Sequence, residues 1–249
     1  MIAALYVEKG GAYWNLEGVD PWDEARDARQ YVGPYPVVAH PPCQRWGRYA
    51  ENHPVKGRIA TAGDDGGCFA HALETVRAFG GVIEHPKDSK AFGHKIGFGL
   101  GKPMGVGWSR SDDGIGWVCQ VEQGHYGHFA NKATWLYAAH VELPLLIWGK
   151  GEQRIHPRAL ELHGYEKARR IGMMAMVGGK DKTRVREATP EPFRDLLLSI
   201  ALTARITGTV PMKEQAEADD AGRVMNLSGE TPGRAGSLPA APNQSRAAA

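Results

Sequence analysis

Two apolar runs set the strongest constraint on how this chain folds. PVVAH (residues 36–40) and GVIEHP (81–86) each read as a short buried strand that stops at proline. A proline fixes its own φ, and it pushes the residue before it out of the helical region. Between them lies CFAHALETVRAF (68–79), whose apolar residues recur near helical spacing. Asp64 or Asp65 is placed to open that helix, and Gly80-Gly81 to stop it. Strand, helix and strand in succession favour parallel pairing.

The rest of the chain extends the pattern. AALYVE (3–8) reads as a first strand. Asp20 is positioned to cap a helix that begins at Pro21 and runs through PWDEARDARQY. IGWVCQVEQ and KATWLYAAHV read as strands, while HPRALELHGYEKARR and PEPFRDLLLSIALTARI read as helices. SRSDDG, with Asp112 and Asp113, reads as a turn. The expected fold is α/β with a mostly parallel sheet, in one domain spanning 1–207. From 208 to 249 the chain is rich in Ala, Gly, Pro and Ser and poor in large apolar residues, so a disordered tail is expected.

Composition narrows the function classes. The chain has 249 residues, 42% hydrophobic and 23% charged, which suits a soluble globular protein. No apolar run approaches a membrane span, and the N-terminus is acidic too soon for a signal peptide. Three cysteines without paired spacing argue for a reducing compartment, with the cytoplasm as the expectation. The net charge of +2 hides a basic region from Lys150 to Arg205. Within it, GGKDKTRVR (178–186) reads either as a phosphate-contacting loop or as a solvated face.

Functional residues of an α/β sheet gather at the carboxyl ends of its strands. Cys43 follows the first Pro-stopped strand, in VVAHPPCQRWGRYA, and Glu84 closes the second. Two prolines before a cysteine hold its thiol in a rigid, extended loop. The alternative is a small apolar cysteine packed in a loop. Cys68 and Cys119 fall on expected core elements.

Three motifs stand in order: PPCQ (41–44), IEHP (83–86) and GHYGHFANKATWLYA (124–138). Together they resemble the DNA cytosine-C5 methyltransferases, in particular short phage- or prophage-type relatives. The resemblance covers roughly residues 36–140. IEHP carries His85 where that family has asparagine, and Lys132 and Thr134 stand where two arginines are common. The resemblance implies a Rossmann-like fold of the class I methyltransferase type. It further implies a DNA partner that presents a flipped or single-stranded pyrimidine, with Cys43 as the thiolate that attacks C6. Glu84 would be the acid that protonates or hydrogen-bonds N3 and the exocyclic amine, and Lys132 the neighbouring cation. Pro42, Gln44, Arg45, Trp46, His85, Tyr126 and Thr134 would line the base pocket, with Trp46 and Tyr49 as stacking residues. The family's methyl donor is S-adenosylmethionine. Gly10, Gly11 and Asp20 are the residues here that approximate its Gly-rich turn and ribose-binding acid.

Other readings remain open on sequence alone. His125-x-x-His128 with Cys119 offers metal ligands, though the spacing matches no compact zinc pattern. Cys43 with a histidine would suit acyl transfer. A diverged fold without cofactor would bind nucleic acid without chemistry, or modify a pyrimidine with another donor. His40-Pro-Pro-Cys also lies between the C5 pattern and that of the amino-methyltransferases.

Overall fold

The computed structural model describes residues 1–47, 50, 54–55, 58–59, 61–151, 154–171 and 185–205. The expected tail, Tyr49 and most of GGKDKTRVR lie outside the described residues.

Nine strands and three helices are described. The strands are β1 Ile2–Leu5, β2 Val19–Trp22, β3 Val37–Ala39, β4 Pro54–Val55, β5 Arg58–Ile59, β6 Gly81–Pro86, β7 Ser109–Arg110, β8 Trp117–Glu122 and β9 Ala133–Ala139. The helices are α1 Cys68–Phe79, α2 Pro157–Ile171 and α3 Glu191–Leu202. Seven strands form one sheet in the order β2-β1-β3-β6-β9-β8-β7, and β4 pairs with β5 apart from it.

The fold is α/β, but the sheet is mixed where a mostly parallel one was expected. β2, β1, β3 and β6 pair in parallel, whereas β6–β9, β9–β8 and β8–β7 are antiparallel. The reason is the length of the connections. A parallel pairing needs a crossover of a dozen or more residues, usually a helix. α1 supplies one between β3 and β6, but only residues 123–132 join β8 to β9, and the chain folds straight back.

A second expectation fails near the N-terminus. Val19-Asp20-Pro21-Trp22 is a strand, not the start of a helix. β2 is the outermost strand on that side, where a proline removes no needed ladder bond. The polar run behind it goes into turns and a short 3-10 helix, Ala28–Gln30, whose N-cap Asp27 accepts from the Arg29 amide.

Two apolar layers sandwich the sheet. α1 covers one face, where Phe69, Leu73 and Val76 meet Val37, Ala39, Ile83 and Tyr137. α3 covers the other, where Phe193, Leu197 and Ile200 meet Val38, Val82, Leu136 and Val121. Successive strand residues point to opposite faces, so this alternation decides which side chains of GVIEHP meet. Glu84 follows Val82 on the α3 side. His85 follows Ile83 on the α1 side, its ring edge-on to Phe69 at 5.2 Å between centroids. α1 opens at Gly67 rather than at an aspartate, with Asp65 just before it accepting from the Phe69 amide, and Gly80 caps its end. Asp113 makes the expected turn, accepting from the Ile115 and Gly116 amides.

Candidate active site at the carboxyl edge of the sheet

The strand order reverses between β1 and β3: from β1 the chain goes to β2 on one side, and from β3 to β6 on the other. Ligand sites of open α/β sheets form outside the strand ends at such a point. Here the ends of β1, β3, β6 and β8 and the start of β9 bring a chain of polar side chains together.

At its centre is Glu84, its side chain only 12% exposed. One carboxylate oxygen accepts from His40 Nδ1 at 3.1 Å, and the other from Gln123 Nε2 at 3.1 Å. His40 follows β3, and its amide extends the pairing with β1 by donating to the Leu5 carbonyl. On its far side, His40 Nε2 lies 2.8 Å from the hydroxyl of Tyr13, a buried residue of the loop after β1. Gln123 is buried at the end of β8, and its Nε2 also donates to Thr134 Oγ1 at 2.9 Å. Thr134 in turn donates to the Lys132 carbonyl.

The charges follow from this arrangement. Burial works to raise the Glu84 pKa, but the His40 hydrogen bond and the Lys132 charge, joined at low pH by His40 and His85 once they are protonated, outweigh it and hold the carboxyl down at about 2. Burial pushes the half-buried Cys43 thiol up, and the Glu84 and Glu187 carboxylates push the same way against Lys132. Burial lowers the Lys132 pKa, against the attraction of Glu84, Cys43 and Glu187. The Lys132 ammonium also donates to the carbonyls of Glu187 and Ala188, and its backbone takes the left-handed φ of 46°. A neutral thiol, a carboxylate and an ammonium therefore share one end of the sheet.

Cys43, Glu84 and Lys132, the expected catalytic residues, are thus brought together. Thr134 takes part through Gln123. Pro42 and Gln44 are exposed, and Arg45 is half-buried, on the loop that carries Cys43. A turn from the Cys43 carbonyl to the Trp46 amide shapes that loop.

Three expected pocket residues go elsewhere. Trp46 is 2% exposed, donates to Asp65 and packs on Phe69 and Phe98. It anchors the loop in the core and offers no face to a base. His85 is buried on the opposite face from Glu84. Tyr126 packs on Phe193, and its hydroxyl accepts from the Ile147 amide.

The residues expected to hold S-adenosylmethionine do not fit it. Asp20 is committed to the Trp22 indole at 2.8 Å and to Arg26 at 2.6 Å. Gly11 closes a turn on the Glu8 carbonyl, and a Cβ there would lie 3.0 Å from that oxygen, a tight fit within its own turn. Gly10 faces open space, with nothing within 4 Å of a would-be Cβ. The three make no common cradle.

The rival constellations are not assembled either. Among the described residues no group of His, Cys, Asp or Glu is arranged to hold a metal ion. His125 points to the Gly149 carbonyl, and Cys119 is buried on β8. The histidine at the site, His40, is bonded to Glu84 and Tyr13 rather than to Cys43.

Sequence reasoning missed Tyr13, Gln123 and the role of His40. Only His40 carried a signal, as the residue that closes the apolar run before Pro-Pro. Compared with protein-family profiles, curated proteins and solved structures, the chain matches none. Among the described residues no helix is long and apolar enough to cross a membrane.

Proposed function

We propose that this chain modifies a pyrimidine of DNA, most simply cytosine, through a covalent adduct between Cys43 and C6. The observation that carries the reading is the Cys43–Glu84–Lys132 group at the carboxyl edge, placed beside the reversal of strand order. The order β2-β1-β3-β6 with antiparallel β9 beyond it supports a class I methyltransferase-type, Rossmann-like architecture, and the order of the three motifs supports the same family likeness.

The chemistry runs through the chain's own groups. A base inside a duplex is out of reach of this edge, so the substrate is flipped out or single-stranded. Glu84, a carboxylate, accepts hydrogen bonds from the exocyclic amine and from N3 once N3 is protonated. The Cys43 thiol gives up its proton as sulfur bonds to C6, and the 5,6 electron pair moves to C5. That proton passes through water to N3, and Lys132 offsets the negative charge its departure leaves on sulfur. C5 is then nucleophilic, and in the absence of a donor it takes a proton from water. Reversal breaks the S–C6 bond and returns a base whose C5 hydrogen has been exchanged.

S-Adenosylmethionine-dependent methylation is the reading that the family likeness suggests. The missing cradle at Gly10, Gly11 and Asp20 favours a second reading, in which the activated C5 meets another electrophile. Both pass through the same adduct. The test is therefore donor-free: mixed-sequence single-stranded and duplex DNA carrying tritium at cytosine C5 is incubated with the full chain, and tritium release to water is measured. Release that disappears in Cys43→Ser and falls at least about 100-fold in Glu84→Gln is expected. A folded wild-type protein that binds this DNA without releasing tritium would reduce the site to base binding.

A further inference from the structure

The Tyr13–His40–Glu84 chain goes beyond what nucleophilic addition requires. It spans the point where the strand order reverses, linking the loop after β1 to the ends of β3 and β6. All three side chains are largely buried: Tyr13 is 3% exposed, and the His40 and Glu84 side chains 13% and 12%.

Its hydrogen bonds admit one arrangement of protons at the Glu84 end. A carboxylate only accepts, so His40 Nδ1 must carry a hydrogen. Burial, with the Glu84 charge beside it, keeps Tyr13 a phenol. With a neutral ring, the Tyr13 hydroxyl donates to Nε2, and the partner on each nitrogen selects the Nδ1–H tautomer. On the opposite oxygen of Glu84, the Gln123 amide cannot turn over, because its nitrogen faces two oxygens, Glu84 Oε1 and Thr134 Oγ1. The carboxylate is therefore gripped from both sides.

We propose that His40 is a positioning residue acting through Glu84: its ring, held between the Glu84 carboxylate at Nδ1 and the Tyr13 hydroxyl at Nε2, keeps the Glu84 side chain aimed so that the site engages its ligand as an acceptor. Lys132 at the start of β9, Cys43 on the loop after β3, Tyr13 itself and, across the sheet on its own strand, His85 also interact electrostatically with Glu84. Arg194 and Asp195 of α3 act on Tyr13. Of these, His40 alone hydrogen-bonds the carboxylate, and Lys132 is held by the Glu187 and Ala188 carbonyls. Removing His40 leaves burial to act on Glu84 with Lys132 as its main counter-charge.

The proposal rests on the pyrimidine reading only for its catalytic consequence, and its test needs no substrate. The full chain is labelled with glutamate carrying ¹³C in the side-chain carboxyl, the Glu84 signal is assigned by its loss in Glu84→Gln, and pH is varied from 3.5 to 9. In the wild type the signal stays that of a carboxylate throughout. In His40→Asn a titration enters the range, displaced upward by roughly two pH units, about a hundredfold in proton affinity. An unshifted Glu84 in a folded His40→Asn overturns the proposal. Should that variant fail to fold, the ¹⁵N spectrum of the histidine rings in the wild type and Tyr13→Phe decides. The wild type shows His40 as the Nδ1–H tautomer with a hydrogen-bonded Nε2, and the variant keeps the tautomer but loses the hydrogen bond at Nε2, which moves the Nε2 resonance. A wild-type Nε2–H ring, or an Nε2 resonance indifferent to Tyr13→Phe, refutes the arrangement. Failure of tritium release with the tautomer and titration as described would strike the pyrimidine reading alone.

Discussion

His85 offers the sharpest physical test of the fold. Its ring is 1% exposed, edge-on to Phe69, and neither nitrogen makes a hydrogen bond of normal geometry among the described residues. Burial lowers its pKa from 6.5 to about 4, against the Glu84 charge and the Pro41 and Pro42 backbone beside it. The unfolded chain thus takes up a proton below pH 6.5 that the folded chain refuses until about pH 4. Stability contributed by the neutral ring is complete above pH 6.5 and falls as pH drops through that window, by up to ~1.4 kcal/mol per pH unit and about 3 kcal/mol in all. The Glu84 contribution runs in a lower window, from 4.5 down to about 2, and the other shifted groups, His128 and Glu122, are common to wild type and variant, so the difference between the two proteins reports His85. His85→Phe keeps the aromatic packing and removes the titration. Urea unfolding of both proteins at pH 7, 5.5 and 4.5 should show the wild type losing roughly 2 kcal/mol more than the variant. Parallel pH profiles would mean that water or a polar partner reaches the ring, and the reasoning about His85 would be wrong.

Two further outcomes follow from the same geometry. Cys43 is expected to alkylate slowly with iodoacetamide at pH 7.5, and Glu84→Gln to speed the reaction several-fold, because the carboxylate is the largest charge holding the thiol protonated; a mass-resolved rate unaffected by the substitution would separate the two groups. At the β3–β6 pairing, Gly81 has a φ of +139°, and a Cβ there would lie 1.9 Å from the Val37 carbonyl oxygen. Gly81→Ala should cost more than about 4 kcal/mol and abolish the near-UV circular dichroism of the folded chain, and a stable variant would contradict the close approach.

Much of this architecture was legible where local chemistry and packing agree. PVVAH, CFAHALETVRAF and GVIEHP became β3, α1 and β6 because apolar spacing, an aspartate just before the helix and Gly-Gly all point the same way. The N-terminal error came from two residues with two uses: Asp20-Pro21 is a good helix opening, and proline is equally at home on an outer strand. Strand directions were hidden because the Gly-rich stretch before β7 shows no period, so nothing in it forbids a meander. At the site, Cys43, Glu84 and Lys132 could be read from their motifs, whereas Gln123 and Tyr13 could not. Each of the latter acts through hydrogen bonds that exist only after distant strands meet, and a lone Gln or Tyr in a loop carries no pattern.

The placement of the three catalytic candidates has a consequence for how such a site rests between encounters. A thiolate and a carboxylate side by side repel, and the protein resolves the conflict in favour of Glu84. His40, Gln123 and the nearby cations keep the carboxyl ionised while the thiol keeps its proton. A resting thiol is a weak nucleophile and is correspondingly protected from adventitious electrophiles. Activation must then come with the ligand. A base edge that donates to Glu84 draws off part of its negative charge, and the same charge is what holds the Cys43 proton in place. On the proposed reading, ligand recognition and nucleophile activation would be coupled through one carboxylate, and a ligand without a donor on the edge that meets Glu84 would bind without arming Cys43.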